Sequence, residues 1–409
     1  MLAITLSVIR PGVVLPRPAA SSLRRTTIVR IKLGFIALSA TLALGLGACG
    51  GSGAGGGDAT TTKEAAPADL TIGVAMPTQT SERWIADGKA VKEKLEGKGY
   101  KVDLQYAGDD IPTQSQQVDQ MITRGADVLI IAAIDGTALS SQLQAAADAK
   151  IPVIAYDRLI RGSKNVDFYD TFDNYAVGVA QGKALLTGLG LMTKDGSKGT
   201  AKGPFNIELF AGSLDDNNAR YFFNGAMDTL KPYLDAKQLV VKSKQTAIEQ
   251  TATLRWAQET AQKRMEDLLT KAYSDGTKVN GVLSPYDGIS RGIITAVQNA
   301  GYGAKGIARP VVTGQDAEIA SVKLINQGVQ SSTVFKDTRL LADQAVIAAE
   351  AFLKHTTPQA NDTKTYDNGV KVVPSYLLPV KTVYKDDIKS LLIDSGYYTV
   401  QEVASGQAG

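Results

Sequence analysis

From Leu70 onward the chain alternates short apolar runs with amphipathic segments, and few folds can satisfy that rhythm. "LTIGVAM" (70–76), "KVDLQYA" (101–107), "DVLIIAAI" (127–134) and the run that opens "IPVIAYDRLI" (151–160) have strand length. Most are too apolar to present a solvated face, as expected of parallel strands covered on both sides. Between them, residues 82–96, 112–124 and 137–149 carry apolar residues at helical spacing, and Gly97, Gly99 and Gly125 stop the first two. Four β-α units in about ninety residues predict a doubly wound parallel sheet.

The pattern then restarts. "VDFYDTFDN" (166–174) carries the chain across, and "FNIELFAG" (205–212), "QLVVKS" (238–243), "NGVLSP" (280–285), "ARPVVTGQD" (308–316) and "QSSTVFK" (330–336) read as strands. Helices are expected over 175–188, 217–230, 258–272, 287–300, 318–327 and 338–354. The fold class is therefore α/β, with two doubly wound parallel-sheet lobes facing one another across a cleft.

The first 48 residues obey a different rule. They hold six basic residues and no acid, so the net charge of +3 becomes −3 for the remaining 361 residues once those six are removed. A mildly acidic body lacks the clustered basic face that phosphate backbones require, so nucleic acid is not an expected partner. Arg24, Arg25, Arg30 and Lys32 form a positive region ahead of the apolar stretch 33–48, the layout of an export signal. It ends in "LGAC", which looks like a lipobox with Cys49 as the lipidated first residue of the mature chain. "GGSGAGGGDATTTKEAAPAD" then reads as a tether. The expected location is the outer face of the cell membrane, held there by the lipid anchor alone.

Several chemistries are poorly served by this composition. One cysteine allows no disulfide framework, and one histidine, His355, allows no histidine cluster for zinc. No metal and no cofactor is expected. "GYGAKG" (301–306) fits G-x-G-x-x-G but comes after a helix instead of a strand, and no phosphate-binding G-x-x-x-x-G-K-[ST] occurs.

In open α/β sheets ligands sit beyond the carboxyl ends of the strands. The residues just past each strand are therefore informative. Arg83 and Trp84 come after the first, and Asp157 and Arg158 after the fourth. Asp215, Asp216, Asn217 and Asn218 come after the first strand of the second lobe. Asp287, Asp316 and Lys336 succeed later ones, and Trp256 precedes a helix. Carboxylates, amides and guanidinium groups form paired hydrogen bonds with adjacent hydroxyls, while an indole covers the C–H face of a ring. A neutral, hydroxyl-dense ring suits such a mixture. The competing readings are a plain Asp157–Arg158 ion pair, helix capping by the "DDNN" run, and Trp84 as a core residue.

"GVAMPTQTSERWIADG", "IAYDRLI", "FNIELFAGSLDDNNA", "TLRWAQETAQKRM", "VLSPYDG", "VVTGQDAE", "TVFKDTR" and "NDTKTYDNGVKVVPSYLLPV" together resemble the multiple-monosaccharide receptors close to bacterial D-xylose-binding proteins. These are type 1 periplasmic binding proteins that serve ABC sugar importers. The resemblance implies sugar contacts at Arg83, Asp157, Arg158, Asn217 or Asn218, Trp256, Asp287, Asp316 and Lys336, and the residue pattern adds Trp84. It also implies a hinge of three strands crossing near Phe172, Phe335 and Leu378. The lobes would then be 69–172 plus 336–377, and 173–335 plus 378–409, after a signal (1–48) and tether (49–68). The implied protein is a monomer and not an enzyme, with an aldose as ligand and a permease as partner. Its rivals are a sugar sensor for a signalling receptor, a glycosidase using Asp157 and Asp316, and a fold-sharing repressor.

Overall fold

The computed structural model describes residues 65–304 and 306–408. Cys49, the export signal and most of the tether lie outside the described residues.

The first lobe is built on a six-stranded sheet. Its strands are β1 (Thr71–Met76), β2 (Lys101–Tyr106), β3 (Val128–Ile131), β4 (Val153–Tyr156), β5 (Phe168–Phe172) and β11 (Ser375–Leu378). They lie in the order β11-β5-β4-β3-β1-β2, and every neighbouring pair is parallel. Both faces are covered, which is why β3 and β4 are apolar at nearly every position and buried throughout. Helices α1 (Glu82–Gly97) and α10 (Thr338–Leu353) pack against one face. Helices α2 (Ile111–Thr123) and α3 (Ser140–Asp148) cover the other. Local chemistry sets the helix starts. Asp110 accepts the Thr113 amide to cap α2, and Pro112 sits in its first turn, where no amide hydrogen is needed.

The second lobe holds β6 (Phe205–Leu209), β7 (Leu239–Val241), β8 (Gly281–Leu283) and β9 (Val311–Val312), ordered β7-β6-β8-β9 and again all parallel. Around them pack α4 (Asn174–Gly188), α5 (Asn218–Asp235), the short α6 (Ile248–Thr251), α7 (Gln258–Ala272), α8 (Asp287–Asn299) and α9 (Ile319–Asn326), with α11 (Val400–Ser405) against α9. A small antiparallel pair, β10 (Thr333–Phe335) with β12 (Lys381–Val383), completes the set.

The chain passes between the lobes three times: after β5 into α4, after β10 into α10, and after β11 into β12. "VDFYDTFDN" does more than carry the chain across, because its centre is β5, paired with both β4 and β11. β11 and β12 escape a periodicity reading because both are short and mixed in polarity.

Candidate functional site

Between the carboxyl ends of the two parallel sheets lies a cavity of about 360 Å³, lined from both lobes. Its centre is a group of four ionic side chains, each 7 % exposed or less: Arg83, Asp157, Asp316 and Lys336. Arg83 comes from the first turn of α1. Its Nη1 donates to Asp157 Oδ2 at 3.0 Å, and its Nη2 lies 3.0 Å from Asp157 Oδ1. Asp316 from the second lobe and Lys336 at the crossing after β10 close the square. Lys336 Nζ is 3.0 Å from Asp316 Oδ1 and 3.7 Å from Asp157 Oδ1, and Arg83 Nη1 is 3.7 Å from Asp316 Oδ1.

Two positive and two negative groups leave the centre formally neutral. Burial alone would raise the Asp157 pKa, but the charges of Arg83 and Lys336 outweigh it and hold it down at about 2. Behind Arg83, its Nε donates to Asp87 Oδ2 at 2.9 Å, and the Tyr156 hydroxyl donates to Asp87 Oδ1 at 2.6 Å. Burial wins over Arg83 there, and the Asp87 carboxyl is pushed up to about 6. Asp87 fixes the guanidinium from behind, leaving its fork for Asp157.

Asp157 and Arg158 do not pair with one another. Asp157 sits at a φ of 56°, in the left-handed region, and this turn sends neighbouring side chains in different directions. Arg158 Nε lies 3.1 Å from Asp216 Oδ2, and its Nη1 donates to the Ala133 carbonyl at 3.2 Å. Burial raises the Asp216 carboxyl against the pull of Arg158. Both guanidinium groups flank the Trp84 ring, Arg83 at 4.5 Å and Arg158 at 5.0 Å from its centroid. Trp84 belongs at once to the first-lobe core and to the cavity wall.

Trp256 forms the opposing wall. Its ring stands edge-on to Phe222 and Tyr286, each at 6.2 Å between centroids, and its Nε1 has no hydrogen-bond partner. Two features aim it. Arg255 and Trp256 both have a φ of 56°, and Gly212 lies so close that a Cβ there would fall 2.0 Å from indole Cη2. The "AGS" glycine is thus a clearance for the indole.

Of the two asparagines, Asn218 lines the cavity and Asn217 does not. Asn218 Nδ2 donates to the Asp157 carbonyl at 2.7 Å, and its Oδ1 accepts the Tyr169 hydroxyl at 2.9 Å. It ties the second lobe to the turn that carries Asp157.

Asp287 is a correction. It does not line the cavity, because its carboxylate is turned inward and fully occupied. It accepts the Glu318 amide at 2.9 Å, Gln330 Nε2 at 2.8 Å and the Thr333 hydroxyl at 3.0 Å. Its own amide donates to the Gln315 carbonyl at 3.0 Å. Asp287 therefore braces the segment that presents Asp316, whose φ of 88° is costly for a non-glycine residue. The Asp316 amide is held by the Val334 carbonyl at 2.8 Å.

Reading residues after strands missed Asp87, Asp109, Arg255 and Arg291. Asp87 had a signal: it lies one helical turn after Arg83, the spacing of an i,i+4 pair. Arg255, beside Trp256, pairs with Asp215 at 2.9 Å. Asp109, which lines the cavity, had the strand-end signal, since it lies three residues past β2; Arg291, which also lines it, carries no local signature. Among the described residues, no group of three or more His, Cys, Asp or Glu side chains is placed to hold a metal ion, and no helix is long and apolar enough to cross a membrane.

Two parallel-sheet lobes, three crossings and a polar cavity at the facing strand ends define a two-lobed binding protein of the type 1 periplasmic class. Residues 72–357 match the model of the periplasmic binding protein domain, and the chain belongs to that family. It is 55% identical over 333 residues to the multiple sugar-binding periplasmic receptor ChvE of Rhizobium radiobacter, covering 81% of this chain and 92% of that one. It is 35% identical over 335 residues to the D-xylose-binding periplasmic protein of Escherichia coli, covering 82% and 93%. Among solved structures, an ABC transporter solute-binding protein from Clostridium phytofermentans with bound β-D-glucose superposes with a TM-score of 0.76 at 46% identity, covering 81% of this chain and 99% of that one. As a member of this family the chain is a binding protein and not an enzyme.

Proposed function

We propose that the protein captures an aldose monosaccharide such as glucose or xylose between its lobes and delivers it to an ABC importer. The observation that carries this is the neutral ionic centre of Arg83, Asp157, Asp316 and Lys336, set between two indoles in a cavity of about 360 Å³. Trp256 Nε1 is buried without a hydrogen-bond partner, while Asp157 Oδ1, Arg158 Nε and Arg255 Nη1 are held by ion pairs alone, at 3.0, 3.1 and 2.9 Å. A buried indole N–H left unpaired costs about 1–3 kcal/mol, which a ligand hydroxyl offsets. A formally neutral centre favours an uncharged ligand, and the ring faces of Trp84 and Trp256 suit the C–H faces of a pyranose.

In this reading Arg83, Trp84, Asp157, Arg158, Asn218, Trp256, Asp316 and Lys336 contact the sugar, while Asp287 acts from behind. Residues 69–172 plus 336–377 move against 173–335 plus 378–409, and the sugar favours closure because its contacts span both. The protein works as a monomer, anchored through a lipid on Cys49. Support for transport comes from the Clostridium phytofermentans protein, described as an ABC transporter component.

Calorimetry with glucose, xylose, galactose and arabinose tests the reading. At least one aldose is expected to bind with a micromolar or tighter Kd, and no heat with any of the four would overturn it.

A further inference from the structure

The mouth of the cleft is bridged by contacts that stand apart from the ionic centre. Ser81 and Glu82 begin α1 in the first lobe, and Glu318 and Ile319 begin α9 in the second. Ser81 occupies the N-cap position of α1, yet its side chain caps nothing there. Its hydroxyl instead donates to Glu318 Oε1 at 2.7 Å. Glu82 Oε2 accepts the Ile319 amide at 3.0 Å. A serine and an acid at a helix start ordinarily serve that helix's own free amides and dipole. Here both serve the first turn of a helix in the other lobe.

The second-lobe half is rigid. Glu318 is 1 % exposed, its Oε1 also accepts the Tyr286 hydroxyl at 2.7 Å, and its Oε2 accepts Arg291 Nη2 at 2.7 Å. The first-lobe half is held less favourably. Burial, and then the facing Glu318 carboxylate, push the Glu82 carboxyl above its usual range. Hydrogen bonds across the mouth are thus opposed by like-charge repulsion, which suits a closure that must also release. Ser81, Tyr286 and Arg291 reach the cavity lining, but Glu82, Glu318 and Ile319 lie outside it, so Glu82 is the member of the set that can be changed without touching the ligand cavity.

We propose that Ser81 and Glu82, with Glu318 and Ile319, form a latch that sets how tightly the closed protein holds its ligand without choosing which ligand it holds. The latch rests on the sugar-receptor reading. The partners sit on different lobes, so opening the cleft parts them. Contacts confined to the closed state shift the closure equilibrium, which scales the apparent affinity for every ligand by one common factor.

The test is calorimetry of the full-length wild type, Glu82→Ala and Glu82→Gln with glucose and with xylose, alongside sugar-free melting curves. Loss of a charge-assisted hydrogen bond in Glu82→Ala is expected to raise both Kd values by the same factor, roughly 5- to 20-fold. Glu82→Gln keeps an acceptor for the Ile319 amide and removes the repulsion, so it is expected to bind within roughly threefold of wild type. The sugar-free melting temperature of Glu82→Ala should match wild type. Unchanged binding by Glu82→Ala, unequal factors for the two sugars, or a lowered sugar-free melting temperature would each overturn the latch alone. If the wild type binds neither sugar nor any other aldose, the receptor reading falls first and takes the latch with it.

Discussion

Asp157 comes just after β4 of the first lobe and Asp287 after β8 of the second, and both carboxylates are buried at the ends of parallel strands. Asp287 accepts one amide, one side-chain amide and one hydroxyl, all from its own lobe. Asp157 keeps an oxygen, Oδ1, with cations beside it but no directed hydrogen bond. The difference separates a brace from a ligand contact. Burial and strand-end position are common to both, and only the accounting of acceptors tells them apart.

The largest effect expected from this contrast is on binding. Asp157→Ala removes the acceptor proposed for a sugar hydroxyl and one of the two carboxylates that Arg83 and Lys336 share, so calorimetry should show no sugar heat. Asp157→Asn preserves the shape and one acceptor. Its Kd is expected to rise roughly a hundredfold or more, about 3 kcal/mol, from the lost charge-assisted bonds. Binding by Asp157→Asn at wild-type strength would make Asp157 a brace like Asp287.

Next in size is the reciprocal experiment. Asp287→Ala orphans the Glu318 amide and the Thr333 hydroxyl and leaves Gln330 Nε2 with only the Ser332 carbonyl, and the expected loss of stability is about 3 kcal/mol. Denaturant unfolding without sugar measures it. The sugar Kd should change far less than in Asp157→Asn, because Asp287 acts only by holding the segment that presents Asp316. A variant as stable as wild type would remove the bracing role.

This pair shows what could be read from the chain alone. The α/β rhythm is written in strand-length apolar runs and glycine-stopped helices, so the parallel sheets were legible almost element by element. The cleft was legible too, since strand ends must face it. Side-chain direction was not. Whether Asp287 points inward or outward depends on Gln330 and Thr333, more than forty residues away. Asn217 and Asn218 are neighbours on a helix start, and the turn alone decides which of them faces Asp157. β11 pairs with β5 across some two hundred residues of sequence, a pairing that no local period encodes.

The acids on either side of Arg83 also predict a pH signature of opposite signs within one site. The Asp157 carboxyl, at about 2, is depressed on folding, so its contribution is present above an unfolded value of about 4 and lost as pH falls through about 2. Its size is about 2–3 kcal/mol. Asp87, at about 6, is raised, so folding favours its protonated form. That contribution declines as pH rises from about 4 to about 6 and is constant above. Asp170 acts in the same direction, raised by burial and then by the Asp157 and Asp87 charges. Unfolding free energy measured from pH 7 to pH 5 should therefore rise less in Asp87→Asn than in wild type. Equal slopes in the two proteins would mean that Asp87 is not the titrating group.

The smallest effect comes from two glycines, and it sharpens the contrast from the backbone side. A Cβ on Gly212 would fall 2.0 Å from Trp256 Cη2, and one on Gly314 would fall 2.1 Å from Asp287 Oδ1. Neither approach is tolerable, so each added methyl must displace the group it meets. Gly212→Ala pushes the indole towards the cavity, where it takes the space of the sugar ring. Sugar Kd should rise roughly tenfold, about 1–2 kcal/mol, with a shifted tryptophan emission and little change in unfolding. Gly314→Ala instead strikes the carboxylate that braces Asp316, so its main signature should be lost stability. One methyl group is thus expected to be read as affinity behind Trp256 and as stability behind Asp287. If both variants lost affinity and stability in the same proportion, the distinction between contact and brace would not hold at the level of the backbone.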